Sequence, residues 1–346
     1  MKSIKKEEIK TKNYQKFCKV IAFFVCFCFL LSTTVISVSA KATPVSQNGR
    51  LSVKGNKIVN QKGRAFVIKG VSTHGLSWFP QYVNKKAFKN MRDQWGVNTI
   101  RLAMYTEGYN GYMTGDANNK KALKNLIHKG VTYAKELGMY VIIDWHILSD
   151  GNPKTYEKES KAFFKEMAKK YKNYNNVLFE ICNEPNNVDW NTVKSYANQL
   201  VKTIHSVNPK AMIIVGTPTW SQDVDLAVAS PVKGNNIAYS FHFYAGTHKQ
   251  DLRNKLESAV KKGLPVIVTE FGLSDASGNG VIDQNEGNQW LTLLNQYKIG
   301  RVCWNLSNKA EASALIQSSS QKVNGWNKRD LTPHGKWLMK AYGGTL

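Results

Sequence analysis

From Ala65 to the C-terminus, short apolar runs alternate with longer stretches in which apolar residues recur every three or four positions. The short runs are Ala65–Val71, Thr99–Met104, Tyr140–Trp145, Val177–Asn183, Met212–Val215, Ile237–Phe243, Val266–Glu270 and Arg301–Leu306. They are rich in Val, Ile and Phe and too continuously apolar to be one-sided, as parallel strands buried on both faces are. The stretches between them read as amphipathic helices. One carries Leu123, Leu126, Ile127, Val131, Ala134 and Leu137 on one face. Another carries Val193, Tyr196, Ala197, Leu200, Val201, Ile204 and Val207, with Asp189 placed to cap its start and Pro209 to close its end. Ahead of them, Leu51–Val59 alternates apolar and polar residues around Gly55-Asn56, a hairpin signature. Eight strand–helix repeats predict an α/β protein, a single (β/α)8 TIM barrel with an N-terminal β-hairpin cap. A doubly wound open sheet is the alternative, weakened because no Gly-rich phosphate turn follows the first strand.

The first forty residues stand apart from this pattern. Seven lysines and two glutamates lie before Val20; an unbroken apolar run reaches Leu31, and small residues lead to Ala40-Lys41-Ala42. That order reads as a secretory signal over residues 1–40, cut after Ala40 or Ala42, with an uncleaved anchor as the rival. The expectation is a secreted, extracellular protein with no stable membrane association after cleavage. Residues 41–346 then form one catalytic domain, of the size a barrel needs. Cys182 and Cys303 are the only cysteines beyond the signal, each in an expected core strand, and they read as buried thiols. The net charge of +24 falls to +19 after the signal, from 41 basic and 22 acidic residues. The lysines are spread over helices such as Lys161–Lys172 and Lys249–Lys262, which reads as solvated faces, not as a nucleic-acid surface.

Polar and aromatic residues collect where the strands end. These are His74 and Trp78 after the first, Arg101 in the second with Tyr105 following, His146 after the third and Asn183-Glu184 after the fourth. His242 and Tyr244 belong to the sixth, Glu270 to the seventh and Trp304 to the eighth. In a parallel barrel these ends converge on one face. Two carboxylates facing one cleft are the apparatus for cleaving a glycosidic bond. Glu184 reads as the acid and later the base, tuned by His242. Glu270 reads as the nucleophile, kept ionised by Arg101 and Tyr244. Asn183 is placed to hold a sugar 2-hydroxyl, and Trp304 offers a flat face for a ring.

The chain resembles glycoside hydrolase family 5, in its bacterial endoglucanase (cellulase) branch. The likeness runs from about Gly49 to the C-terminus. It rests on Ser72-Thr73-His74-Gly75-Leu76, Asn98-Thr99-Ile100-Arg101, Asp144-Trp145-His146, Asn183-Glu184-Pro185, His242-Phe243-Tyr244, Thr269-Glu270-Phe271-Gly272 and Trp304-Asn305-Leu306. Asn-Glu-Pro alone is weak; seven motifs in family order are specific. The resemblance implies a retaining double displacement, with Arg101, His146, Asn183, His242, Tyr244 and Trp304 lining the reacting subsite. It also implies sugar contacts at His74, Trp78, Tyr105, Trp220, Ala276, Lys309 and Glu311. Phe271 departs from the tryptophan common after the nucleophile, and implies altered packing with the chemistry kept.

Residues 275–286 have oxygen-bearing side chains and a glycine at the positions of a twelve-residue calcium loop, but a strand precedes them where an EF-hand has a helix. The reading is no metal site and no cofactor. The expected partner is a β-linked polysaccharide or oligosaccharide, with no nucleic acid, bound by a monomer. A β-mannanase, or a hydrolase of xylan or mixed-linkage glucan, shares this fold and mechanism. Outside the enzyme class, a non-catalytic sugar-binding barrel and a basic cell-wall adhesin remain.

Overall fold

The computed structural model describes residues 7–20 and 42–345. The chain divides into two units, residues 1–41 and 42–346. In the first, residues 7–20 are helical; the apolar run beyond Val20 and the cleavage position Ala40 lie outside the described residues. No helix among the described residues is long and apolar enough to cross a membrane.

The second unit opens with a two-stranded antiparallel hairpin, β1 (Ser52–Lys54) and β2 (Lys57–Val59). Gly55 takes the positive φ (58°) that its two-residue turn requires. Eight parallel strands follow: β3 (Lys69–Thr73), β4 (Thr99–Tyr105), β5 (Tyr140–His146), β6 (Val177–Glu180), β7 (Met212–Val215), β8 (Ile237–Tyr244), β9 (Val266–Gly272) and β10 (Arg301–Leu306). They close into a barrel in chain order, with β10 pairing back onto β3.

Most strands run one or two residues past the expected end, and three boundary differences bear on the site. β3 starts at Lys69, not Ala65, because Ala65 bridges Val59 and the Phe66 amide donates to Ile58, which draws this segment onto the hairpin. β6 stops at Glu180, so Glu184 stands four residues past the last ladder pair, on a loop. β9 runs on to Gly272, which places Glu270 inside the strand.

Alternation along each strand sorts the side chains into layers. Residues such as Ile100, Leu102, Ile143 and Phe179 face outward and pack under the helices. Tyr140, Ile142, Leu178, Met212, Ile214, Ile267 and Val302 face inward and, with Leu51 and Ile58 of the hairpin, fill the lower barrel. The hairpin caps that end. Toward the strands' C-terminal ends the interior turns polar, with Arg101, Asp144, Glu180, Ser240 and Thr269 each fully buried.

β9 carries a bulge. Val268 pairs with Phe241 and Glu270 with His242, so Thr269 is the extra residue on this side; the β10 pairing skips in the same place. A bulge interrupts the alternation and re-aims side chains. Here Thr269 and Glu270, adjacent in sequence, both reach the barrel interior, where each meets a partner from another strand.

The helices form as their patterns require. Asp189 accepts from the Thr192 amide at 2.7 Å and caps Trp190–Val207. Phe271, the residue after Glu270, is buried on the outer side of β9 against Phe243 (ring centroids 5.3 Å), and Trp290 stacks on Phe243 at 3.9 Å. The substitution of aromatic type at 271 is thus a matter of packing beneath the helices. Trp290 is fully buried, and its indole N–H donates to the His248 carbonyl. Trp290→Ala is expected to cost about 3–5 kcal/mol by emptying this stack, read as a lowered midpoint in guanidinium unfolding.

Candidate active site

Arg101 projects from the middle of β4 into the barrel axis with no solvent exposure. Its Nε donates to Glu180 (2.7 Å), its Nη1 to Glu270 (3.1 Å) and its Nη2 to Asn183 (2.6 Å), while Asp144 is ion-paired with Nη2 at 3.0 Å. Burial opposes its charge, but Asp144, Glu180 and Glu270 together raise its proton affinity and hold it as a cation. A planar fork is what lets one side chain serve four partners on four strands or strand ends.

Because Arg101 is donor-only, the Asn183 amide must present its oxygen to it. The Asn183 Nδ2 then faces the Ile147 carbonyl (3.0 Å) and His146 Nε2 (3.3 Å). His146 in turn gives its Nδ1 proton to Asp144 at 2.6 Å. Burial holds the His146 ring well below its usual proton affinity, so it is a neutral acceptor toward Asn183.

Glu270 is gripped from two sides, by Arg101 and by the Tyr244 hydroxyl, which donates at 2.7 Å. Glu184 meets His242 Nδ1 at 2.8 Å. Burial pushes the Glu184 carboxyl up to about 8, against the pull of Arg101 and with the push of Asp144 and Glu180. Burial likewise draws the His242 ring down to about 4. A carboxylate oxygen of Glu184, one of Glu270 and a His242 ring nitrogen lie within 4.8 Å of one another. The two carboxyls therefore differ in environment and face one gap of sugar size.

Aromatic rings extend the site on one side. Trp304 stacks with His146 (5.3 Å), His74 lies 5.3 Å from Trp304 and parallel to Tyr105, and Trp78 meets Tyr105 edge-on at 4.7 Å. The Gly75 amide donates to His74 Nδ1 (2.7 Å), which leaves the proton on Nε2. Lys309 pairs with Glu311 at 2.5 Å; Glu311 also accepts from Asn305 and Ser313 beside β10. On the other side, a pocket of about 460 Å³ is lined by Glu184, His242, Tyr244, Trp220, Ala276 and His248. Trp220 is 46% exposed and sits in a run of three left-handed residues, 219–221. Donation from the Trp220 amide to the Pro185 carbonyl, and from the Ser221 hydroxyl to the Asn183 carbonyl, ties that turn to the Glu184 loop.

All fifteen residues singled out from the sequence thus lie in or beside one cleft. Glu180, which the sequence reading does not single out, is central to it, as are Asp144 and Thr269, which stand there only inside motifs and without a role. The signal for Glu180 and Asp144 is a charged residue inside an otherwise apolar strand. Thr269 gives none, since its partner Glu180 comes from another strand.

The acids of residues 275–286 do not converge on an ion. Asp275 folds back to accept from the amides of Ser277 (2.9 Å) and Gly280 (3.2 Å). Asp283 caps the helix Gln284–Gln296 and pairs with Lys249, and Glu286 is buried against Arg253. Cys182 and Cys303 are free, buried thiols.

A closed parallel barrel with two unlike carboxyls facing a cleft at the strands' C-terminal ends is the build of a glycoside hydrolase. A family model for cellulase (glycosyl hydrolase family 5) matches residues 59–310. An endoglucanase of Clostridium saccharobutylicum is 43% identical over 341 residues, covering 97% of this chain and 75% of that one. Endoglucanase A of Butyrivibrio fibrisolvens is 43% identical over 293 residues, covering 84% and 68%. Among solved structures, the catalytic domain of a Thermobifida fusca endoglucanase in complex with cellotetraose superposes with a TM-score of 0.83 at 33% identity, covering 88% of this chain and 100% of that one. The chain belongs to glycosyl hydrolase family 5, and it is a glycoside hydrolase of the cellulase type.

Replacing Arg101 by Leu leaves three buried carboxylates without their counter-charge. The expected cost is about 3–5 kcal/mol of stability, measured by denaturant unfolding. Arg101→Lys keeps the charge but loses the fork, and should fall between the two in both stability and turnover.

Proposed function

We propose that the protein is a secreted, retaining endo-β-1,4-glucanase that cleaves internal bonds of cellulose-type glucans. The observation that carries the mechanism is the separation of the two carboxyls. Their nearest oxygens lie within 4.8 Å. Retaining enzymes place the groups roughly 5–5.5 Å apart, whereas inverting ones need about 6.5–9.5 Å to fit a water between. The names of the relatives favour glucan over mannan or xylan. The basic, apolar and small-residue order of residues 1–40 supports export.

In the first step a Glu270 oxygen forms a bond to the anomeric carbon while the bond to the leaving oxygen breaks. The Glu184 proton goes to that oxygen. Arg101 and the Tyr244 hydroxyl hydrogen-bond the two Glu270 oxygens and fix the angle of this nucleophile. In the second step water attacks the same carbon, Glu184 takes the water's proton, and the Glu270 carboxylate is released. Two inversions give net retention. Asn183 meets the sugar 2-hydroxyl by exchanging its long 3.3 Å approach to His146 for the ligand. His74, Trp78, Tyr105, His146, Trp304, Lys309 and Glu311 hold the glycone side. Trp220 and Ala276 hold the leaving-group side.

Glu270→Gln is expected to lower kcat on soluble cellulose derivatives by roughly 10⁴-fold or more while leaving the fold intact. A binding protein would be indifferent to that change. Reducing-end release across a panel of β-glucan, mannan and xylan tests the substrate, and the anomer first released, read by NMR, tests retention. Because Glu184 must be protonated to act as the acid, kcat/KM should fall as pH rises through about 8.

A further inference from the structure

Behind the catalytic pair runs a hydrogen-bonded chain that starts at the acid Glu184 and ends on Arg101. Glu184 Oε1 meets His242 Nδ1 (2.8 Å), His242 Nε2 meets Thr269 Oγ1 (2.9 Å), and Thr269 Oγ1 donates to Glu180 Oε1 (2.5 Å). The other Glu180 oxygen takes the Arg101 Nε proton at 2.7 Å. Ser240 Oγ also contacts Thr269 Oγ1. His242 is 2% exposed, and Glu180, Thr269, Ser240 and Arg101 have no exposure at all.

The direction of every proton in this chain can be worked out from its far end. Burial raises the proton affinity of Glu180 and Arg101 opposes it; with a guanidinium on one oxygen and a hydroxyl on the other, Glu180 is an acceptor only. Thr269 has one proton and gives it to Glu180. His242 Nε2 must therefore donate to Thr269, and so must Ser240. A neutral imidazole has a single N–H, so Nδ1 presents a lone pair to Glu184. That lone pair is matched by a carboxylic acid and opposed by a carboxylate.

We propose that Glu180 and Thr269 are positioning residues that lock His242 in its Nε2–H tautomer, so that its bare Nδ1 keeps Glu184 protonated until a glycosidic oxygen takes the proton. The same lone pair makes the resulting carboxylate a stronger base toward water in the second step. The bulge in β9 is what makes this arrangement available, since Thr269 keeps the inward face of Ile267 and meets Glu180 while the extra residue turns Glu270 inward beside it. The other titratable groups facing Glu184 and His242 are Arg101 and Tyr105 from β4, Asp144 and His146 from β5, Tyr244 from β8 and Glu270 from β9; none of them hydrogen-bonds the His242 ring among the described residues. The inference rests on Glu184 being the acid.

Thr269→Val removes the acceptor at Nε2 and frees His242 to carry its proton on Nδ1, where it stabilises the Glu184 carboxylate. The basic limb of kcat/KM should then move down by about one pH unit. Turnover of aryl β-cellobiosides with poor leaving groups should fall about tenfold or more, whereas the glycosylation step with a dinitrophenyl leaving group, which needs no acid, should stay within about twofold. Thr269→Ser restores the hydroxyl and should restore both readouts. Glu180→Gln keeps an oxygen for Arg101 but offers an amide proton to Thr269, which reverses the chain and should shift the limb in the same direction. An unmoved basic limb in Thr269→Val, or equal losses for good and poor leaving groups, would overturn the proposal. Glu184→Ala separates the two claims: if it abolishes the acid-dependent turnover while Thr269→Val does not alter it, only the tautomer lock fails. If Glu184→Ala itself leaves the leaving-group dependence unchanged, the acid assignment fails.

Discussion

One guanidinium holds the upper barrel together. Arg101 lies on the axis with Asp144, Glu180, Glu270 and the Asn183 carbonyl around it, all within 3.1 Å of its nitrogens. Taking so many charges out of water costs several kcal/mol per ion and is repaid only where geometry and remaining hydrogen bonds are complete. Here Tyr244, Thr269 and His146 supply most of them, and Asp144 Oδ1 alone of these carboxylate oxygens has no hydrogen-bond partner among the described residues. A hydrophobic filling of the same space would be no less stable. What the ionic version supplies is orientation, because each carboxylate is fixed at a stated atom of a planar fork.

Orientation is also what separates the roles of the two reacting glutamates. Glu270 meets the Arg101 guanidinium and the Tyr244 hydroxyl. Glu184 meets an imidazole, and burial with neighbouring acids favours its protonated form. Two identical side chains thereby face one gap from unlike surroundings. The cleft around them is correspondingly two-sided: stacked rings and a Lys309–Glu311 pair on one side, and an exposed Trp220 on a left-handed turn beside Glu184 on the other. That turn is bonded to the backbone of the Glu184 loop itself.

Much of this was legible in the sequence because barrel strands announce themselves by continuous burial, and because a charged residue at such a strand's end has no packing reason to be there. Met212–Val215 and Arg301–Leu306 were bounded correctly for that reason. The strand before Glu184 was drawn too long, since Ile181 and Cys182 are as apolar and as buried as ladder residues while making no strand pair. Ala65 was drawn into β3 because an apolar run cannot say which neighbour it pairs with.

The amino-acid order alone determined the architecture, the family and the two glutamates that meet across the cleft, since each is carried by local patterning or by motifs short enough to read. Tertiary structure alone decided the supporting network. Glu180 and Asp144 gain meaning only when β4, β5 and β6 bring them to Arg101, Thr269 only when β6 brings Glu180 to it, and Glu270 turns inward beside it only because a bulge breaks the strand's period of two. Such a bulge is set by pairing with β8 and β10 across the barrel, and no spacing within β9 records it.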